Sequence, residues 1–244
     1  MSTLDRPYLS MQNRLLATLA LALLAVLGNY LSLPLFLGVH FIFGSIAVMV
    51  AVRLLGILPA VMVAISGGLY TLTLWGHPYA LLIFSIEAMV VGLLYRRGLR
   101  NLLIADLLYW LLIGIPLVLL FYRGLLGMGA EPATMIALKQ SINALFNTLL
   151  AGIMVIAWQL SVRGRFSLPG KPTLAILLFH TILTLTLLAG LVPIIHESKT
   201  QHSNQEAFML ERLHEHAAQL IARLEADIPL GQQRYDYHLS RVQT

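Results

Sequence analysis

Cysteine is absent from the sequence, and charge is scarce: Asp, Glu, Lys and Arg make up 11% of 244 residues. The first absence excludes disulfides, thiolate zinc sites, iron–sulfur clusters and a cysteine nucleophile. The second excludes an ordinary soluble globule, in which about 25% of residues are charged. Acids are scarcest ahead of the C-terminal tail. Residues 1–195 hold four (Asp5, Glu87, Asp106 and Glu131) against eleven Lys and Arg. Catalytic signatures are missing too: there is no G-x-S-x-G, P-loop, H-E-x-x-H or G-x-G-x-x-G. Without cysteine or a close His pair, a transition-metal site is not expected. These absences argue against an enzyme and against a resident cofactor.

What the sequence does have is apolar length. It is 58% apolar, with a mean hydropathy of +0.80. A helix needs about 20 apolar residues to cross ~30 Å of hydrocarbon. Seven runs approach this: Leu15 to Leu37, about Phe41 to Val52, Pro59 to Trp75, Tyr79 to Tyr95, Asn101 to Tyr122, about Met135 to Leu160, and Thr173 to Ile195. The first is too long for the h-region of a signal peptide and has no clear A-x-A cleavage site. The second is short. The expected fold is therefore all-α: a polytopic membrane bundle of about seven transmembrane helices with a C-terminal extramembrane helix.

Lys and Arg in short loops set orientation. With a cytoplasmic N-terminus (residues 1–14) and seven crossings, the inner side holds Arg6, Arg14, Arg53, Arg96, Arg97, Arg100, Arg163, Arg165 and Lys171, and the outer side only Arg123 and Lys139. The net charge of +5 comes from the excess of these basic residues over acids in residues 1–195, since the tail holds more acids than bases. The basic balance belongs to topology, and nucleic acid is not an expected partner. Residues 15–195 form the bundle, and 196–244 emerge outside the cytoplasm. Within this tail Leu210, Leu213, Ala217, Leu220 and Leu224 follow a heptad-like 3-4-3-4 spacing, up to Pro229-Leu230-Gly231. The stripe either pairs two subunits or packs on a domain of which this helix is the start.

Ionisable groups inside a membrane are expensive, so each is a functional candidate. Glu87 lies nine residues before Arg96, roughly 13 Å from the inner edge, and Asp106 on the next antiparallel span is about 8 Å deep. They either bind a cation or polar ligand, or relay a proton, or bond to a neighbouring helix. Lys139, Asn143 and Asn147 recur every four residues and share one helix face. This is either interhelical hydrogen bonding or the wall of a cavity opening outward, with Lys139 as suited to snorkelling as to binding an anion. His40 and His77, each in an outer loop, are candidates for lining an entrance, or structural residues. His180 sits in the last run, and His214 and His216, two apart on a helix, face differently.

Gly38-x-His40-Phe41-x-Phe43-Gly44-Ser45, Arg53-x-x-Gly56 leading to Pro59, Trp75-Gly76-His77-Pro78-Tyr79 and Glu87-x-x-x-x-Gly92-Leu93-Leu94 carry a resemblance. The segment from about Gly38 to Leu160 resembles the N-terminal membrane sensor regions of bacterial signalling proteins, of LytS type and MASE type, found ahead of histidine-kinase or diguanylate-cyclase outputs. The resemblance implies a receptor of the inner membrane, often dimeric, that responds to a small ligand, with Glu87, Asp106, Asn143, Asn147, His40 and His77 as ligand-binding candidates. It also implies that the tail opens a Cache-like extracytoplasmic domain. No H-box, GGDEF or ATP-binding motif is present, so the output half would lie outside this chain. The pattern of short helices is also similar to the substrate-binding S-components of vitamin importers, which makes a small-solute transporter the alternative. The long heptad helix favours the receptor.

The orientation has a direct check. Alkaline phosphatase fused after His196 is expected to be active, and fused after Arg100 inactive; the reverse pattern would overturn the topology.

Overall fold

The structure is a computed structural model that describes residues 10–36 and 39–161, scattered positions between 175 and 193, and residues 208–223. Helix α1 (Met11–Tyr30) opens at Ser10, whose hydroxyl accepts the Asn13 N–H. This cap satisfies one of the free donors of the first turn. The helix stops at Tyr30, ahead of the expected Leu37. The chain instead forms a two-stranded antiparallel hairpin, β1 (Leu33–Phe36) and β2 (Val39–Phe41), in which Leu33 pairs with Phe41 and Pro34 with His40. Periodicity could not disclose it, because apolar strand residues continue an apolar helical run.

The expected second span is helix α2 (Gly44–Leu54), 11 residues and therefore roughly 16 Å long. That is too short to cross a bilayer alone. It lies antiparallel to α1: Phe43 N–H donates to Gly28 O at one end, and Arg14 Nη2 donates to Leu55 O at the other. Arg14 and Arg53 thus share one end of the bundle. Seven of its residues, Gly44, Ser45, Ala47, Val48, Met49, Ala51 and Val52, are buried. A helix apolar on every side belongs inside a bundle, and α2 packs on α1, α3, α4 and α6.

Helix α3 (Ile57–Trp75), α4 (Tyr79–Arg96), α5 (Leu102–Leu125) and α6 (Ala130–Ser161) complete the bundle. Pro59 sits in the first turn of α3, where a missing N–H leaves no bond unmade. Ala60, Ala64 and Gly68, at i, i+4 and i+8 on α3, form a buried face of small residues, and Gly68 lies against Leu81 of α4. Asn101 caps α5 by accepting the Leu103 and Ile104 N–H groups. α5 widens into π turns over Trp110–Gly114 and Leu119–Leu125. The first precedes Pro116, which has no N–H to give.

Five of the described helices, α1, α3, α4, α5 and α6, are long and apolar enough to cross a membrane. The expected count of seven is therefore not what the described residues contain: α2 is short, and most of the last run, Thr173–Ile195 with His180, lies outside them. Large apolar side chains face outward from the long helices, among them Leu16, Leu23, Leu112, Leu138 and Met154. That outward face suits lipid and would be unusual in water. The tail forms a separate unit. Its helix, 208–223, carries Leu210, Leu213 and Leu220 exposed; Leu224 and Pro229-Leu230-Gly231 lie outside the described residues.

Asn29 is the buried clasp of the N-terminal half. Its Nδ2 donates to Gly67 O of α3 and its Oδ1 accepts the Gly44 N–H, each at 2.8 Å. Gly44 allows this approach, since a Cβ there would lie 2.4 Å from Asn29 Oδ1. Asn29→Ala orphans the Gly44 N–H in a dry interior. It is expected to cost about 1–3 kcal/mol, read as lost resistance to unfolding in detergent; unchanged stability would remove the clasp from this account.

Candidate functional site

The two intramembrane acids converge. Glu87 on α4 and Asp106 on α5 are fully buried and close enough to influence each other's charge. Each has one oxygen held by a donor. Trp110 Nε1–H donates to Glu87 Oε1 at 2.9 Å, and the Thr148 hydroxyl of α6 donates to Asp106 Oδ2 at 2.6 Å. Glu87 Oε2 and Asp106 Oδ1, the two remaining oxygens, have no donor among the described residues. Two ionised carboxylates can only accept, so a bond between them requires a shared proton. The indole N–H can only donate, which fixes Oε1 as an acceptor and leaves the proton on the side facing Asp106.

The helices supply this geometry by position. Asp106 and Trp110 are four apart on α5, so both present to α4. One turn back along α4, Ile83 O accepts the Tyr109 hydroxyl at 2.7 Å. Tyr109 and Trp110 are both fully buried, with ring centroids 5.6 Å apart at 82°. Gly114 lies directly behind the indole: a Cβ there would come within 2.6 Å of Trp110 Cε3. The ring is walled in, so a side chain at 114 has to displace it. Sequence reasoning found the acids and missed Trp110, Thr148 and Gly114. The i, i+4 spacing of Asp106 and Trp110 was the available signal.

The other expected site residues fall elsewhere. Asn143 accepts the Ile42 N–H at Oδ1 (2.8 Å) and donates from Nδ2 to Ile42 O, and Asn147 Nδ2 donates to the same carbonyl (2.8 Å). Both amides hold the turn between β2 and α2, where irregular backbone has no helical partner. Asn147 Oδ1 remains without a partner. His40 Nδ1 lies 3.2 Å from Ser32 Oγ. Burial lowers its pKa below the usual histidine range, with the positive charge of Lys139 adding to the effect. His77 packs between Tyr79 and Tyr122, at 5.1 and 5.0 Å, and burial lowers its pKa as well. The six residues therefore occupy three places: the acid pair, the Ile42 turn and the end of the bundle bearing the two histidines. Among the described residues, no three His, Asp or Glu side chains are grouped to hold a metal ion.

No family model, curated protein or solved structure matches this chain. What the fold and the site define is a class: a mainly α-helical protein whose described residues include five helices able to cross a bilayer, with an acid pair buried among three helices.

Amide and apolar replacements test the shared-proton geometry. Glu87→Gln keeps an acceptor for Trp110 and offers an N–H to Asp106, so it is expected to cost less than about 1 kcal/mol. Glu87→Met orphans the indole N–H and an Asp106 oxygen and is expected to cost about 2–4 kcal/mol. Gly114→Ala, by moving the indole, is expected to resemble Glu87→Met. Equal thermal stability of the Gln and Met variants in detergent would sink this reading.

Proposed function

We propose that this chain is the membrane-embedded sensory region of a bacterial signalling receptor, placed in the inner membrane with its N-terminus in the cytoplasm. The observation that carries the reading is the Glu87–Asp106 pair. Burying two carboxyls where two leucines would pack is costly, by about 2.5–3.5 kcal/mol for one charged acid at the bilayer centre on insertion scales. Such a pair is a functional candidate by default, and here two donors, Trp110 and Thr148, hold it among three helices, α4, α5 and α6, with a proton shared between the acids in this reading. A change in that proton, or a cation taking its place, alters the attraction between α4 and α5. That is a local event of the kind that biases a two-state bundle. The motif resemblance around Gly38–Ser45, Trp75–Tyr79 and Glu87–Leu94 supports the same reading, as does the separate helix 208–223, for which a transporter has little use.

The signal would pass to a kinase or cyclase output, whose motifs this sequence does not contain. The test uses the gene's natural full-length product in membranes of its host. Glu87→Gln fixes one proton-bearing group permanently in the pair while sparing the fold. It is expected to leave membrane abundance unchanged and to abolish the change in kinase or cyclase output on stimulation. A normal response from the Gln variant would defeat the functional role of the pair; absence of any kinase or cyclase output would defeat the receptor reading itself.

A further inference from the structure

Lys139 is a basic residue buried in the bundle without a hydrogen-bond partner for its nitrogen among the described residues. It lies nine residues after the first residue of α6 and nine before Thr148, so it is about 13 Å along the helix from the acid pair. Its side chain is 8% exposed, and its ammonium has no hydrogen-bond partner among the described residues. What it has is the face of Trp75, the last residue of α3, with Nζ 5.4 Å from the ring centroid. An aromatic face attracts a cation but takes none of its three N–H donors. His40 of β2 is near enough to feel the charge, yet it offers no compensating negative group. A buried ammonium in this state is costly, and a methionine of similar length would fill the space without that cost.

Snorkelling does not account for it. A snorkelling lysine buries its stem and keeps its ammonium in water, whereas here the nitrogen itself is buried. The one acid near it in sequence, Glu131, is exposed and eight residues earlier, roughly 12 Å back along the same helix.

We propose that Lys139, flanked by Trp75 and His40, is a binding site for a monoanionic group, a carboxylate or phosphodiester, at the end of the bundle where α3 closes and α6 begins. One ammonium balances one negative charge, and its three donors match the oxygens of such a group. The indole then flanks the atoms attached to the anion and favours a ligand with an apolar or aromatic body. The site goes beyond the receptor reading and does not rest on it, since binding here is independent of any output. The anion comes either from a dissolved organic acid or from the headgroup of an anionic lipid.

Two arms separate these sources. In neutral detergent, acetate, benzoate and dimethyl phosphate are titrated against their uncharged counterparts acetamide and benzamide, with thermal unfolding as the readout. In nanodiscs, lipid retention from phosphatidylglycerol is compared with phosphatidylcholine by native mass spectrometry. Lys139→Met is expected to raise the unfolding midpoint in anion-free buffer and to weaken anion binding by at least about tenfold. Lys139→Arg is expected to keep the response. If the Met variant does not fold, Lys139→Gln takes its place. A charge-selective, Lys139-dependent response to the soluble acids assigns a solute site, and one confined to phosphatidylglycerol assigns a lipid site. No charge-selective response in either arm, or a response that Lys139→Met shares in full, overturns the proposal.

Discussion

Everything in this bundle depends on one constraint: a polar group placed in hydrocarbon must find its partner inside the protein. Regular helices meet it without help, because each backbone N–H and C=O is bonded within the segment. The hairpin and the start of α2 cannot. Three asparagines meet the demand instead: Asn29 from α1 on Gly44, and Asn143 and Asn147 from α6 on Ile42. These amides reach one short stretch of chain from two helices far apart in sequence. They let an 11-residue helix sit inside a bundle of much longer ones, and they join the first third of the chain to the last described long helix.

The acid pair obeys the same constraint with higher stakes. A carboxyl without donors would be among the most expensive groups the interior could hold. Trp110 and Thr148 each satisfy one outward oxygen, and the inward oxygens, which find no donor among the described residues, can be satisfied only by a proton held between them. The geometry of the pair rests on a chain of local choices. The π turn ahead of Pro116 sets the course of α5, Gly114 leaves room for the indole, and the indole aims at Glu87. Lys139 shows the constraint left open, with a charge buried on the aromatic face of Trp75 and its donors unmatched.

Much of this was legible in the residues. Apolar run lengths predicted the long helices, with ends within a few residues for α3, α4 and α5. Scarcity of acids made Glu87 and Asp106 conspicuous, and counting residues from Arg96 and Arg100 placed them at similar depth on adjacent spans. The Asn143/Asn147 face was visible as a polar stripe. Its use on the Ile42 backbone was not, because that partner lies about a hundred residues away in sequence and belongs to a segment that reads as helix. The donors Trp110 and Thr148 were hidden for a related reason: an aromatic and a small hydroxyl residue in an apolar run look like packing.

By itself the sequence determined the class of the protein, the approximate ends of α3, α4 and α5, and the identity of the two costly acids. Those follow from composition and from the fixed rise of a helix against a bilayer of fixed thickness. Only the tertiary structure decided which side chains answer one another: Asn29 with Gly44 and Gly67, Asn143 with Ile42, Trp110 with Glu87, Thr148 with Asp106. The physical reason is that hydrogen bonds are satisfied within a few ångströms in space. The helices that bring these groups together are set by packing across the bundle, which no local stretch of sequence contains.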